Sequence, residues 1–203
     1  MDQAPSLRIS ARLVYAASLF RATGDFSECL TGVMVQPLGA KGVAIMANNG
    51  HAAIVLRDES GTAPYPMTLR VTKPLLAVCK PQGSPSRFVV ARDYRLVVET
   101  INEELYIQPG VATIQGEYPN TLKHFEREWS PCVVYEHMHS KRLLLDALRY
   151  LGIHTFAAFT SGEVSPILYR GHRRDADYFA AVIMPVRQGT GNAREISPAI
   201  DWM

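Results

Sequence analysis

The stretch SARLVYAASLFRATG, residues 10–24, contains the pattern on which the interpretation of the whole chain depends. Its apolar side chains recur at the three- and four-residue spacing that places them on one face of a helix. Ser10 can cap the N-terminus of this helix, and Gly24 suits the position just past a helix C-terminus. We therefore predict a helix over residues 10–24, with one short strand before it and three strands after it. The predicted strands are Leu7–Ile9, Leu30–Gln36, Val43–Ala47 and Ala52–Leu56.

The same order of elements recurs twice more along the chain. Thr72–Pro81 and Ser140–Gly152 have the capping residues and apolar spacing of two further helices. The predicted helices start at residues 10, 72 and 140, so a βαβββ unit is repeated three times. This repeat predicts an α+β fold with the helices on one face of antiparallel sheets. The remaining predicted strands are Thr68–Val71, Arg87–Ala91, Arg95–Glu99, Glu104–Ile107, Ala112–Gly116, Val133–Tyr135, Thr155–Phe159, Pro166–Tyr169 and Tyr178–Met184.

Composition limits the class of protein. The chain has 203 residues, 47% of them hydrophobic and 20% charged, which is typical of globular proteins and not of collagen, coiled coils or disordered chains. No apolar run approaches the roughly 18 residues of a membrane-spanning helix, and the N-terminus lacks the features of a signal peptide. The three cysteines, Cys29, Cys79 and Cys132, have no CxxC spacing. We therefore expect reduced thiols in a cytoplasmic protein that is not bound to a membrane.

Positive charge is concentrated on the predicted helices. The whole chain has a net charge of only +2, yet these helices carry seven basic residues and a single acidic residue, Asp146. Helices on one face of a sheet would display this charge on one side, where it can contact nucleic-acid phosphates without reading sequence. An ordinary solvated helix face is the alternative explanation. The seven basic residues are Arg12, Arg21, Lys73, Lys80, Lys141, Arg142 and Arg149.

Three motifs resemble segments of a known family. Leu30–Val35 (LTGVMV), followed by Val43–His51 (VAIMANNGH), resembles the start of the middle domain of the bacterial DNA polymerase III beta subunit, the sliding clamp. Gly116–Lys123 (GEYPNTLK) is similar to the segment that closes that domain. Tyr178–Arg187 (YFAAVIMPVR) is similar to the strand that ends the clamp. The motifs occur in the family's order, and the resemblance spans about residues 7–187.

The resemblance implies a DNA-clamp-like architecture. Domains of this family are pairs of βαβββ units, and twelve units form a ring with basic helices around a hole for duplex DNA. Residues 7–125 would be one complete domain, residues 131–187 half of another, and residues 188–203 a flexible tail. The chain would then hold one and a half clamp domains. A tetrameric ring of chains is implied, with a dimer that completes the split domain as the smaller alternative.

The resemblance also implies a function, that of a processivity scaffold in DNA replication or repair. Such a protein encircles or contacts duplex DNA without sequence specificity, and it binds peptides of a DNA polymerase or clamp loader in a hydrophobic groove. The alternative is a shortened clamp relative that only binds peptides and does not encircle DNA. We find no catalytic motif, cofactor motif or metal-ligand spacing, so we expect neither an enzyme nor a cofactor.

The family's groove can be carried over to this chain residue by residue. Two positions depart from the family's pattern, because Ala52-Ala53 stands where the family has Arg-Leu, and Val186 replaces a second methionine. A different or weaker peptide preference is therefore expected. Without the resemblance, the apolar members would be interpreted as core residues. The groove residues so implied are Leu30, Gly32, Gly50, His51, Pro119, Lys123, Val182, Met184, Pro185 and Val186.

Overall fold

Each of the three helices follows a short strand and precedes a run of antiparallel strands, as the repeat predicts. The computed structural model describes residues 6–24, 27–81, 86–131, 138–161, 166–171 and 178–184, without the side chains of 138–141. The helices are α1 (Ala11–Ser18), α2 (Lys73–Cys79) and α3 (Met138–Leu151). The strands are β1 (Arg8–Ser10), β2 (Val33–Pro37), β3 (Val43–Asn48), β4 (Ala52–Asp58), β5 (Met67–Leu69), β6 (Phe88–Arg92), β7 (Arg95–Glu99), β8 (Glu104–Ile107), β9 (Thr113–Ile114), β10 (Ser130–Pro131), β11 (Phe156–Thr160), β12 (Ile167–Gly171) and β13 (Phe179–Ile183).

The first two units exchange their first strands. We call β1 to β4 with α1 the first unit, β5 to β8 with α2 the second unit, and β10 to β13 with α3 the third unit. β1 leaves its own unit and pairs with β6, where Ile9 lies opposite Val89. In return β5 pairs with β2, where Leu69 lies opposite Val33. This exchange holds the two units together and confirms the α+β class, with antiparallel sheets throughout the described residues.

The third unit joins the first through one continuous sheet. A four-stranded sheet has the order β1-β6-β7-β8, and a nine-stranded sheet has the order β10-β11-β12-β13-β4-β3-β2-β5-β9. The last strand of the third unit, β13, lies antiparallel to the last strand of the first, β4, with Ala181 opposite Ile54. Beside this sheet, α3 packs against α1. The rings of Tyr15 and Tyr150 meet edge to face, with centroids 4.7 Å apart.

The core lies between α1 and the centre of the nine-stranded sheet. Every residue of β3 is buried, as expected for a central strand with neighbours on both edges and packing on its faces. From the helix side, Val14, Ala17 and Phe20 are fully buried. The small alanines of α1 allow the helix to lie close to the strands, and Phe20 fills the space beyond its end.

The first helix is shorter than the sequence predicts. It ends at Ser18, not near Gly24, and the Ser18 hydroxyl donates to the Tyr15 carbonyl over 2.7 Å. A serine that bonds the preceding turn in this way competes with the helical ladder. Arg21, predicted to lie on the helix, is therefore in the loop that follows it. Phe20 continues the apolar spacing of the helix in the sequence, but it is buried because it packs in the core beyond the end of α1.

Several predicted strands also differ in extent. Leu30 belongs to a 3-10 turn, Glu28–Thr31, so β2 begins only at Val33. The predicted strand Ala112–Gly116 is reduced to β9, which pairs with β5. Val133–Tyr135 lies outside the described residues. These differences arise because pairing partners, and not local apolar composition, set the ends of strands.

Arg12 fastens the third unit to the first. Its Nε donates to the Tyr150 carbonyl over 2.6 Å, close to the C-terminus of α3. A cation at this end of a helix is favoured, because the last carbonyls leave partial negative charge there. Lys80, the residue that follows α2, places its Nζ 5.5 Å from the centre of the Tyr150 ring. All three helices therefore meet at Tyr150.

Replacing Arg12 with Ala should loosen the third unit. The loss of one charge-assisted hydrogen bond at an exposed position should lower the free energy of unfolding by about 1 kcal/mol. Hydrogen exchange followed by mass spectrometry should show faster exchange along α3. Arg149→Ala is the matched control, since Arg149 is an exposed cation in the last turn of the same helix. Equal exchange in the two variants would contradict a fastening role for Arg12.

Candidate functional site

The helices carry less positive charge than the sequence predicts. Within their observed bounds they hold five basic residues against the single acidic residue Asp146. The difference arises because α1 ends before Arg21 and α2 ends before Lys80. The five basic residues are Arg12, Lys73, Lys141, Arg142 and Arg149.

Three of these cations are well placed to contact an anionic partner. Lys73, Arg142 and Arg149 are exposed. Arg142 has 89% of its side chain exposed, and its Nε lies 4.0 Å from Asp146. An exposed pair of this kind contributes little to stability, so the guanidinium remains available for a phosphate. Lys141 lies on the same helix as Arg142, but its side chain is outside the described part of the structure.

Arg21 is engaged within the fold. Its Nη1 donates to the carbonyls of Thr31 and Val71, over 3.2 and 3.5 Å. Burial lowers the pKa of this guanidinium. The contacts join the loop after α1 to the segment that leads into α2, and they account for Arg21 without a ligand. A DNA contact by Arg21 stays a prediction from the sequence.

A cleft of about 840 Å³ lies where the ends of the three helices meet. Its charged side chains are largely occupied with one another or with the backbone. Arg87 donates to the Val78 carbonyl over 2.7 Å, and Arg57 lies 3.4 Å from Glu59. Asp58 accepts the Ser10 backbone N–H over 2.7 Å. The cleft therefore contains helix-end contacts that hold the units together. Among the described residues, no three metal-ligating side chains cluster.

A small pocket occurs at the junction of β4 and β13, where the sequence motifs place the groove. The predicted groove residues Gly50, Val182 and Met184 all line it. The pocket is only about 10 Å³ in volume, so a side chain can enter only after its lining moves. The lining residues are Asn48, Gly50, Ala52, Ala53, His124, Val182 and Met184.

The turn at the edge of this pocket is rigid. The Asn48 side chain accepts the Gly50 N–H over 2.7 Å, and the Asn49 side chain accepts the N–H groups of His51 and Ala52. Gly50 has a φ of +85°, which favours glycine. The His51 carbonyl accepts the Met184 N–H over 2.7 Å. The backbone of the Asn48–His51 turn therefore holds the end of β13 against the start of β4.

His124 is a pocket residue that sequence reasoning missed. It ends the 3-10 turn Thr121–His124, in which Lys123 is exposed while His124 is half-buried. Burial, and secondly the charge of Arg127, lower the pKa of His124, which favours the neutral form of its ring. It directly follows Lys123, the last residue of the Gly116–Lys123 motif. That motif gave no indication of which side chain would turn inward.

The other predicted groove residues that the structure describes do not line this pocket. A Cβ on Gly32 would come within 2.5 Å of Thr68 Cγ2 and 2.7 Å of the Leu69 carbonyl, so this glycine allows close packing on β5. Leu30 is half-buried in the preceding turn, and it does not line the pocket. Pro119 and Lys123 are exposed on the segment that leads to His124. Pro185 and Val186 lie outside the described residues.

Sequence comparison alone gives no relatives, since no family model and no curated protein matches the chain. In the described part of the structure, none of the helices has the length and apolar character required to span a membrane. The structure, in contrast, is similar to many solved proteins. The information about relationship therefore comes from the arrangement of strands and helices.

The similar structures are bacterial sliding clamps. The DNA polymerase sliding clamp from Pseudomonas aeruginosa has a TM-score of 0.65 and 14% identity, with 93% of this chain and 68% of that chain covered. The clamp from Bacillus subtilis has a TM-score of 0.64 and 12% identity, with 93% and 66% covered. The DNA polymerase III beta subunit from Thermotoga maritima has a TM-score of 0.61 and 13% identity, with 93% and 67% covered.

At such identities the likeness establishes the fold, and it confirms the resemblance that the three sequence motifs suggested. Another structure of the Pseudomonas aeruginosa clamp, bound to griselimycin, has a TM-score of 0.62 and 14% identity, with 93% of this chain and 68% of that chain covered. The chain thus has the fold of the bacterial DNA polymerase III beta subunit, the sliding clamp, over about two thirds of that protein's length.

Proposed function

We propose that this protein is a sliding-clamp-like scaffold of DNA replication or repair, acting in the cytoplasm. It contacts the backbone of duplex DNA through its helices and binds peptide segments of a polymerase or clamp loader. This role requires no catalysed reaction. The observation that supports it best is the match of 93% of the chain to sliding clamps, together with exposed cations on α2 and α3.

The proposed DNA surface works by charge and not by sequence. Lys and Arg side chains that neutralise phosphates release condensed counterions, which makes affinity fall steeply with salt. Contacts of this kind position a protein on the duplex and carry no base information. A scaffold that must move along DNA needs that property. Lys73, Arg142 and Arg149 are the residues we assign to it, because the other helix-end arginines bond within the fold.

Reversing these three charges should weaken DNA binding. Each phosphate contact contributes about 0.9 to the slope of log affinity against log salt. The variant Lys73→Glu, Arg142→Glu, Arg149→Glu should therefore bind duplex DNA much more weakly and lose up to about 3 from that slope. Fluorescence anisotropy with labelled duplex across a salt series measures both quantities.

The matched control changes the same charge elsewhere. Lys41, Arg95 and Arg127 are exposed and lie outside α1, α2 and α3; their triple change to Glu should alter affinity little. Equal loss in both variants would contradict a helix-borne surface. Retention on closed circular DNA, compared with linear DNA, tests encirclement. Peptide binding without any DNA association would instead support the alternative of a peptide-binding module.

We propose that the chain assembles with copies of itself through two sheet ends. Within the chain, the last strand of one unit, β13, pairs with the last strand of another, β4. The last strand of the second unit, β8, ends its sheet in the described structure, and Ile107 on it is 49% exposed. At the other end, the nine-stranded sheet finishes in the two-residue strand β10 beside β11, and all five residues of β11 are half-buried. Two-fold pairing at both ends gives a ring of four chains, and pairing at one end gives a dimer.

A lysine on β8 should reduce the mass of the assembly. Ile107→Lys places a charge on the free edge, a feature that natural proteins use to prevent strand addition. Light scattering should give a multiple of 22.5 kDa for the unmodified chain and a smaller multiple for the variant. Tyr65→Lys, at a residue 61% exposed and outside the strands, is the control. A monomer at high protein concentration would overturn the assembly.

We propose that the pocket between β4 and β13 opens into the peptide groove. Its apolar lining, Val182, Met184 and the alanines of β4, suits a hydrophobic anchor residue. Met184 is half-buried, and a flexible methionine adapts readily to different partners. Ala52 and Ala53 stand where the family has Arg and Leu, so the side chains at these two positions are smaller and uncharged. We therefore expect weaker peptide binding than in the sliding clamps.

Griselimycin, which is bound in one of the similar clamp structures, is a suitable probe of this groove. Titration followed by calorimetry should detect binding to the unmodified chain. Met184→Glu should reduce affinity at least about tenfold, since a carboxylate is costly in an apolar pocket. Ile101→Glu, at a site 83% exposed and away from the pocket lining, should bind normally. Unchanged binding by Met184→Glu would refute the assignment.

A further inference from the structure

A second cleft, of about 230 Å³, lies between β1, β5 and the turn that joins β6 to β7. It shares no lining residue with the pocket between β4 and β13 or with the basic helices. Its floor is apolar, because Leu7, Met67 and Ala112 are buried there. Pro64, Tyr65, Tyr94 and Val111 line it and are exposed. The cleft therefore combines an apolar floor of buried side chains with aromatic and apolar side chains that are exposed to solvent.

This grouping of exposed apolar side chains is not random. Six large hydrophobic residues are exposed in the described structure, and three of them line this one cleft. Tyr94 is 87% exposed, Tyr65 61% and Val111 58%. Single exposed apolar residues need no explanation, whereas a contiguous patch around a cleft is typical of a binding surface.

Tyr94 is also held in a strained backbone conformation. Arg92 pairs with Arg95, so Asp93 and Tyr94 form a two-residue turn between β6 and β7. Their φ values are +48° and +62°, the only positive values at non-glycine residues in the described structure. Such turns favour Asn or Asp first and Gly second. A tyrosine at the glycine position is unfavourable, and its ring is too exposed to compensate by packing.

The turn is nevertheless firmly placed. The Tyr94 carbonyl accepts the Ala112 N–H over 2.7 Å, which ties the turn to the floor of the cleft. Strained residues that the surrounding structure holds in place cluster at binding sites. The backbone conformation of Tyr94 is therefore consistent with a binding role for its ring, together with the exposure of that ring.

A single carboxylate determines the charge of the cleft. Among the described residues that line it, Asp93 is the only charged one. It is exposed, and no ion pair forms to it from the other described residues. The nearby cation Arg92 is already paired with Glu99 and Glu104. An occupant with a positive charge next to an apolar group would therefore complement this surface.

We propose that this cleft binds an extended, proline-containing peptide segment of a partner protein, with an arginine next to the proline. Proline-rich segments dock in aromatic-lined grooves, because their extended helix is already formed before binding. The arginine would pair with Asp93 and stack on a tyrosine ring. Tyr65 and Tyr94 would contact the proline. The site does not depend on DNA binding or on the pocket between β4 and β13.

The test uses the whole chain and a fluorescein-labelled peptide with the sequence Pro-Pro-Arg-Pro-Pro. Fluorescence anisotropy should show saturable binding. Tyr94→Gly removes the ring and relieves the left-handed strain, so binding should weaken at least about tenfold while the melting temperature is unchanged or raised. A peptide with Glu in place of Arg should also bind at least about fivefold more weakly. Ile101→Gly, which changes an exposed residue outside the cleft, should bind normally.

Each other outcome counts against the site. Absence of binding to the unmodified chain at millimolar peptide overturns it. Normal binding by Tyr94→Gly overturns it as well, and so does a marked fall in melting temperature, which would mean that the ring serves the fold. Equal affinity for the Arg and Glu peptides removes the role of Asp93. The variant with Lys73, Arg142 and Arg149 changed to Glu should bind this peptide normally, which separates a failure here from a failure of DNA binding.

Discussion

The antiparallel pairing of β4 with β13 is the contact on which the rest of the molecule depends. It joins strands that are more than a hundred residues apart in sequence, and through it the strands of the third unit continue the sheet of the first unit into one sheet of nine strands. On the helix side, the same junction brings α3 against α1, where Arg12 and Tyr150 meet. At the strand end, it brings the Asn48–His51 turn against Met184. One pairing thus sets both the relation of the helices and the position of the small apolar pocket.

The charges on the helix side divide into two groups with different surroundings. Arg12, Arg21 and Arg87 donate to backbone carbonyls of neighbouring segments, and they hold the units in register. Lys73, Arg142 and Arg149 are exposed. A count of basic residues on amphipathic helices does not separate these groups, because a guanidinium at a helix end serves equally well for a carbonyl of its own chain and for a phosphate.

The sequence was sufficient to predict the three-fold repeat, the α+β class and the approximate place of most strands, since apolar spacing and capping residues are local signals. It was not sufficient where tertiary contacts decide. Phe20 extended the helical signal past Ser18, although the backbone had already turned. Gly32 stays a groove prediction, and its part in the fold, where the missing side chain allows close packing on β5, was not foreseen. His124 gave no signal, because whether a side chain in a turn faces inward depends on strands that lie far away in sequence.

The exchange of β1 and β5 between the first two units has a consequence for how the molecule comes apart. Each of these units contains a strand that belongs to the other's sheet, so neither can unfold while the other stays intact, and the two melt as one cooperative body. The third unit has no such exchange among the described residues; it is attached through the β4–β13 strand pair, the contact of α3 with α1, and the contacts of Tyr150 with Arg12 and Lys80. Under heat or mechanical load this seam opens first. The free energy of opening it sets how long the three units stay joined.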